Sequence, residues 1–214
     1  MGRMNVVLKR WIRYFLPIQC VECGDAQFEV LCAVCQTTML ETSAVSLSLE
    51  GIDRVAALFR YSGSIKALIH HIKFGPSREG AALLAAVAHR RGSVLPLGDY
   101  DWIIPIPGST ARERLRGFCL PDLIFRPMVV TAGGRMSPIL RRIRETRPLF
   151  ELGASERKAE VAGIFSVSPQ FVSLGESVLL VDDIVTSGAT AQSAADTLRR
   201  AGAGRVDLLT VAAA

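Results

Sequence analysis

At 214 residues the chain has room for one medium domain, or for one plus a small appendage. Half of its residues are hydrophobic, so a sizeable core is expected, and the net charge is +5. No apolar run reaches the roughly 18 residues of a membrane-spanning helix, which excludes that class.

The N-terminal stretch Val6 to Leu16 carries apolar residues at helical spacing, with Lys9, Arg10 and Arg13 on the other side. It predicts a short amphipathic helix, packed on the segment that follows or lying on a membrane surface. Its charges break any signal-peptide core, and Pro17-Ile18-Gln19 lacks the small residues of a cleavage site. A cytoplasmic protein is expected.

Cys20-Val-Glu-Cys23 and Cys32-Ala-Val-Cys35 follow, two CxxC pairs separated by eight residues. Each pair puts two thiolates on one tight turn, and Gly24 suits the first turn. Two such turns close a tetrahedral four-cysteine site for a structural Zn²⁺, with no open position for catalysis. An iron–sulfur cluster fits the same ligands, and disulfides are the alternative that an unexported chain disfavours. The segment between the pairs is too short for a core, so the metal would fold residues of about 17–40.

Ile52 to Tyr61 predicts a strand entering the main domain. Ser64 then caps a helical stretch that ends at Gly75. His70 and His71 are adjacent, so they diverge on a helix and make no metal pair. Lys73 either reaches a phosphate or is a solvated helix-end lysine. Glu79 to Arg91 predicts an Ala-rich helix, and Asp101 to Pro105 a short buried strand. In the turn after it, Gly108 and Ser109 could offer backbone N–H groups to an anion, with Arg112 and Arg116 approaching; an ordinary proline-rich strand exit reads the same way.

The basic charge is concentrated here. Residues 112–158 hold eleven basic and five acidic side chains, nearly all the bases being Arg, which suits planar contacts to phosphate. A solvated surface or a nucleic-acid-binding face are the other readings.

Val178 to Thr190, VLLVDDIVTSGAT, carries the most chemistry. An unalternating apolar run predicts a parallel strand buried on both faces, whose C-terminal end is where open α/β sheets bind ligands. Asp182 and Asp183 stand at that end. Thr186, Ser187, Gly188, Ala189 and Thr190 form a hydroxyl-rich turn before a helix of roughly Ala189 to Ala201. Turn amides and helix dipole make a phosphate cradle, and the carboxylates beside it could take sugar hydroxyls or a hydrated Mg²⁺. Gly202 and Gly204 end the helix, and Arg205 to Val211 predicts a last strand. Alternating strands and helices imply an α/β domain with a mostly parallel sheet flanked by helices.

On these residues the chain resembles the phosphoribosyl pyrophosphate (PRPP) motif of type I phosphoribosyltransferases. The resemblance implies ribose contacts for Asp182 and Asp183, a 5′-phosphate loop at Thr186 to Thr190, and a pyrophosphate loop at Gly108 and Ser109. It implies Asp182, Asp183, Arg112 and Arg116 as the catalytic set, and Mg²⁺ arriving with PRPP.

The longer series of four-cysteine knuckle, YSGSIKALIHHIKFG, IIPIPGSTARERLRGF, ERKAEVAGIF and VLLVDDIVTSGAT is similar to the ComF competence-protein family. That family joins a zinc knuckle to a phosphoribosyltransferase domain and is associated with uptake or use of DNA. It implies a zinc module over 1–50 and a phosphoribosyltransferase-like domain over 51–214. It also implies single-stranded DNA or a competence helicase as partner of a non-catalytic alternative. The chain departs from the family pattern where amides are usual: Cys119 and Leu120 follow Arg116-Gly117-Phe118, Leu149 follows the Thr146 segment, and Glu160 follows Glu156-Arg157. Leu offers no hydrogen bond, and Glu160 is expected to repel a polyphosphate.

Overall fold

The computed structural model describes residues 18–27, 29–75, 77–92, 95–147, 153–169, 171 and 175–214. The expected helix over Val6 to Leu16 and the position of Leu149 lie outside these residues.

Strands β1 (Ile18–Gln19) and β2 (Ala26–Gln27) form a small antiparallel pair, followed by helix α1 (Ala33–Glu41). Strands β3 (Val45–Leu49) and β4 (Ile52–Arg60) come next, then helices α2 (Gly63–Phe74) and α3 (Arg78–Arg91). Strand β5 (Trp102–Pro105) leads to helices α4 (Thr110–Arg116) and α5 (Leu120–Thr131). A short antiparallel pair, β6 (Leu140–Arg142) with β7 (Phe165–Val167), brackets helix α6 (Ala154–Glu160). Strand β8 (Ser177–Val185), helix α7 (Ala189–Arg200) and strand β9 (Arg205–Ala213) complete the chain.

The main sheet has the order β3-β4-β9-β8-β5. Four of its strands are parallel, and β3 pairs antiparallel with β4 at the edge. The expected α/β class, with a mostly parallel sheet flanked by helices and a four-cysteine cluster at the N-terminal end, is what the molecule shows. Strand β3 falls within the residues expected to belong to the 1–50 module, yet it is part of the main sheet.

Burial on both faces explains the unalternating apolar run of β8. Leu179 and Val181 enter one core layer with α2, α3 and α5, while Val178 and Leu180 enter the other with α7. Helix α2 supplies Ile65, Leu68, Ile69 and Ile72, all essentially inaccessible, to the first layer. Helix α7 presents Ala191, Ala194, Ala195 and Leu198 to the second, and its small residues let the helix lie close to the sheet. The cysteine module is continuous with the first layer: Cys20, Leu31, Cys32 and Met39 share a cluster with Leu58, Leu68 and Phe125.

Candidate functional site

The N-terminal cysteines converge as their spacing predicts. The Sγ atoms of Cys20, Cys23, Cys32 and Cys35 lie within 4.8 Å of one another. Cys23 and Cys32 are 3.8 Å apart. A tetrahedron with Zn–S bonds of about 2.3 Å has edges of about 3.8 Å, so the cluster fits a zinc ion. Backbone N–H groups of Cys32 and Cys35 point at the sulfurs of Cys20 and Cys32, at 3.4 and 3.5 Å, as thiolate ligands require. Gly24 turns the chain after Cys23 at φ 81°. All four ligands come from the protein, so the ion this group could hold is a structural one.

The second constellation is built at the carboxyl end of the sheet. Pairing of β8 with β5 stops at Val181, opposite Pro105. Pairing with β9 runs on through Asp182, opposite Thr210, to Val185. The acidic pair therefore sits inside the strand on one side and beside an opening on the other. Alternation along the strand separates the two acids. Asp183 faces the α2 layer, where Lys73 Nζ lies 3.1 Å from Oδ1 and 3.0 Å from Oδ2. Asp182 faces the α7 side and accepts the Asp183 N–H at 2.8 Å. Desolvation first, then the Asp183 charge, pushes the Asp182 carboxyl well above the usual carboxylate range, against the pull of Lys73 and of that N–H.

Two adjoining cavities open here. One, of about 220 Å³, is lined by Asp182, the turn from Thr186 to Thr190, and Arg157 of α6. The other, of about 270 Å³, is lined by both aspartates, Lys73, Gly108, Ser109, Arg112, Arg116 and Arg142. Asp182, Ile184, Thr186 and Thr190 line both, so they form one groove along the end of β8. Thr186 and Ser187 are exposed to it. Gly188 is the N-cap of α7 at φ 76°. A Cβ there would meet Leu49 Cδ2 at 2.5 Å. The glycine is demanded by its backbone angle and by the β3 side chain packed over it, rather than by ligand approach alone.

In the loop after β5, two backbone amides are bonded to carboxylates of the chain itself. The Gly108 N–H donates to Glu113 Oε1 at 2.9 Å, and the Thr110 N–H to Glu145 Oε1 at 2.8 Å. Carboxylates of the chain hold two of the amides near the groove. Burial works to raise the Glu145 carboxyl, but bonds from Ser109 and Thr110 and the Arg142 charge hold it below its ordinary range. Arg116, whose Nη1 is buried with no hydrogen-bond partner among the described residues, lines the second cavity. Arg142 bonds Thr146 Oγ1 at 2.5 Å and lines the same cavity.

Glu160, expected to repel a polyphosphate, is paired with two arginines. Its Oε1 accepts the Arg147 N–H at 3.0 Å, its Oε2 lies 3.2 Å from Arg147 Nη2, and Arg144 Nη1 lies 3.8 Å from Oε1. The carboxylate ties down the 144–147 segment, and it does not line either cavity. Burial pushes the Cys119 thiol up to about 12, which makes it inert at neutral pH. Leu120 lines the second cavity from the first turn of α5. Lys73 and Arg157 are the site residues that sequence reasoning did not secure. The first is separated from its partner by 110 positions, and the second sits in a short polar helix.

Comparison with known proteins adds a family to this geometry. The "DNA utilization protein YhgH" of Salmonella typhi is 31% identical over 163 residues, covering 73% of this chain and 70% of that protein. The protein of the same name from Escherichia coli O6:H1 (strain CFT073) is 32% identical over 165 residues, with the same shares. This chain belongs to the YhgH family of DNA utilization proteins. No family model matches the chain. A Thermus thermophilus protein of known structure, TT1426, covers 64% of this chain and 83% of its own at 17% identity, with a TM-score of 0.31, too loose to bear on the fold. Among the described residues, no helix is long and apolar enough to cross a membrane.

Proposed function

We propose that this YhgH-family chain grips a phosphorylated pentose, PRPP or a ribose 5-phosphate ligand, in the groove at the end of β8, in the service of DNA uptake or use. The observation that carries the reading is the continuity of that groove. The Thr186 to Thr190 turn at a helix N-terminus and the acidic pair line adjoining cavities about 220 and 270 Å³ in volume. The turn supplies amides and hydroxyls for a 5′-phosphate, and the dipole of α7 adds about 0.3–1 kcal/mol for an anion. Asp182 and the Asp183–Lys73 pair stand where sugar hydroxyls would lie. Arg112 and Arg116 face the far end, and the orphaned Arg116 Nη1 suits an anionic group such as pyrophosphate.

The aspartates do not suit a protein-held Mg²⁺, since both oxygens of Asp183 are on Lys73 and one of Asp182 is on a backbone N–H. The ion expected with PRPP would belong to the diphosphate. Type I phosphoribosyltransferase chemistry at this groove would have a nitrogen nucleophile attack C1 as pyrophosphate leaves. The chain's part would be to position the sugar and to neutralise the leaving charge with Arg112 and Arg116. Calorimetric titration with ribose 5-phosphate and with Mg²⁺–PRPP, paired with a pyrophosphate-release assay over a panel of bases, tests both levels. Binding with release supports a transferase. Binding with silence for every base leaves a ligand-binding protein, and the absence of binding by either compound refutes the reading.

The relatives' name and the exposed Arg114, Arg135, Arg141 and Arg144 favour a second reading, a non-catalytic module that docks single-stranded DNA or a competence helicase. Its mark is DNA affinity that falls steeply with salt and loses slope when Arg114 and Arg141 become Ala. Affinity indifferent to salt rejects it.

A further inference from the structure

We propose that Lys73 is the built-in cation of the sugar site, so that the groove reads a pentose without a divalent metal on its aspartates. The inference rests on the phosphopentose reading and adds to it how the hydroxyls are recognised.

Three observations carry it. Lys73 Nζ is nearly equidistant from both oxygens of Asp183, at 3.1 and 3.0 Å, so one ammonium covers the whole carboxylate. The pair is well sequestered, with 30% of the lysine side chain and 10% of the aspartate side chain exposed. Helix α2, which delivers Lys73, is fixed by Ile65, Leu68, Ile69 and Ile72 in the core, so the ammonium is held in place rather than roaming on the surface.

The geometry leaves little for a metal to do. Mg²⁺ demands octahedral oxygen ligands at about 2.0–2.1 Å and sheds water reluctantly. To bind Asp183 it would have to displace the ammonium and then lie beside it. Asp182 has one oxygen occupied by the Asp183 N–H at 2.8 Å. A sugar hydroxyl meets a better-matched surface: it can donate to the remaining Asp182 oxygen and accept from Lys73, whose ammonium has three donors. Both side chains line the same cavity.

The test is titration of the full-length, zinc-loaded protein with ribose 5-phosphate. One buffer is freed of divalent cations by chelating resin before the protein is added, which spares the bound zinc, and the other contains Mg²⁺. The wild type should bind equally in both, within about twofold. Lys73→Met should bind at least tenfold more weakly without Mg²⁺ and recover when it is supplied. Lys73→Arg, which keeps the charge, should bind without Mg²⁺ and covers the case in which the Met variant does not fold. A wild-type affinity that collapses without Mg²⁺ overturns the proposal while leaving the phosphopentose reading standing, and so does a folded Lys73→Met protein equal to wild type in metal-free buffer. Failure of the wild type to bind in either buffer removes that reading and this inference together.

Discussion

Replacing Asp182 with Asn should move stability and binding in opposite directions. The carboxyl is pushed above its ordinary range by desolvation and by Asp183. Its folded value therefore lies above that of the unfolded chain, the native state binds the extra proton, and stability falls as pH rises through that window. Asn carries no such proton. Denaturant melts should show Asp182→Asn gaining on the wild type as pH climbs through the window, with the gap closing in acid. Above that window, where the Asp182 carboxylate is charged, ribose 5-phosphate affinity of the variant should be roughly tenfold lower than that of the wild type, the scale of one hydrogen bond to a charged acceptor. A variant that is both less stable and unchanged in affinity contradicts the assignment. Glu160 illustrates the other sign. Its carboxyl is held low, first by the Arg147 N–H and also by the Arg147 and Arg144 charges. That anchoring is present above the unfolded carboxylate range and is lost as pH falls through the folded value. The protection factor of the Arg147 amide, its exchange relative to the intrinsic rate at each pH, should fall in acid in the wild type, and should be low at neutral pH already in Glu160→Gln. The sequence marked Glu160 as out of place for a polyphosphate site. It could not reveal the two arginines, 13 and 16 positions away, that claim the charge.

Two elements decide whether the groove keeps its shape. Gly188 caps α7 at φ 76° beneath Leu49 of β3. Gly188→Ala adds both backbone strain and a clash, and should cost roughly 1–3 kcal/mol in a denaturant melt. Adding Leu49→Ala should relieve the clash while the strain persists, so recovery should be partial. Full recovery would mean that the angle does not matter. The cysteine module is the second element. Cys20, Leu31 and Cys32 belong to the same buried cluster as helices α2 and α5. Cys32→Ser, or removal of zinc with a strong chelator, should therefore lower the melting temperature of the whole protein and not merely loosen residues 17–40. A two-step melt with an unchanged main transition contradicts this. Legibility at this scale followed periodicity. The strand run of β8 and the helical stretches of α2, α3 and α7 could be read directly, because their apolar spacing is imposed by the two core layers. Strand β3 could also have been found: VSLSL alternates and is followed by Glu50-Gly51, with Gly51 at φ 79°. Helix α5 was hidden by Pro121 and Pro127; the first sits in the opening turn, where no N–H is needed.

For the whole molecule, the chain order of motifs was enough to foresee a four-cysteine cluster joined to an α/β sheet. What it left open was how the parts meet. The loop after β5 presents amides, as its Gly-Ser suggests, but Glu113 and Glu145 already hold two of them. Any diphosphate entering there must displace carboxylates. Glu113→Gln should thus strengthen Mg²⁺–PRPP binding and leave ribose 5-phosphate unaffected in paired titrations. An equal effect on both ligands would place Glu113 outside the far end of the groove. Amide chemical-shift mapping with ribose 5-phosphate tests most directly where a sugar phosphate sits. The largest saturable shifts should fall on Thr186 to Ala191 and on Asp182 and Asp183, with Lys73 moving in step. Shifts confined to the exposed arginines of residues 135–147, or none at all, would contradict the account.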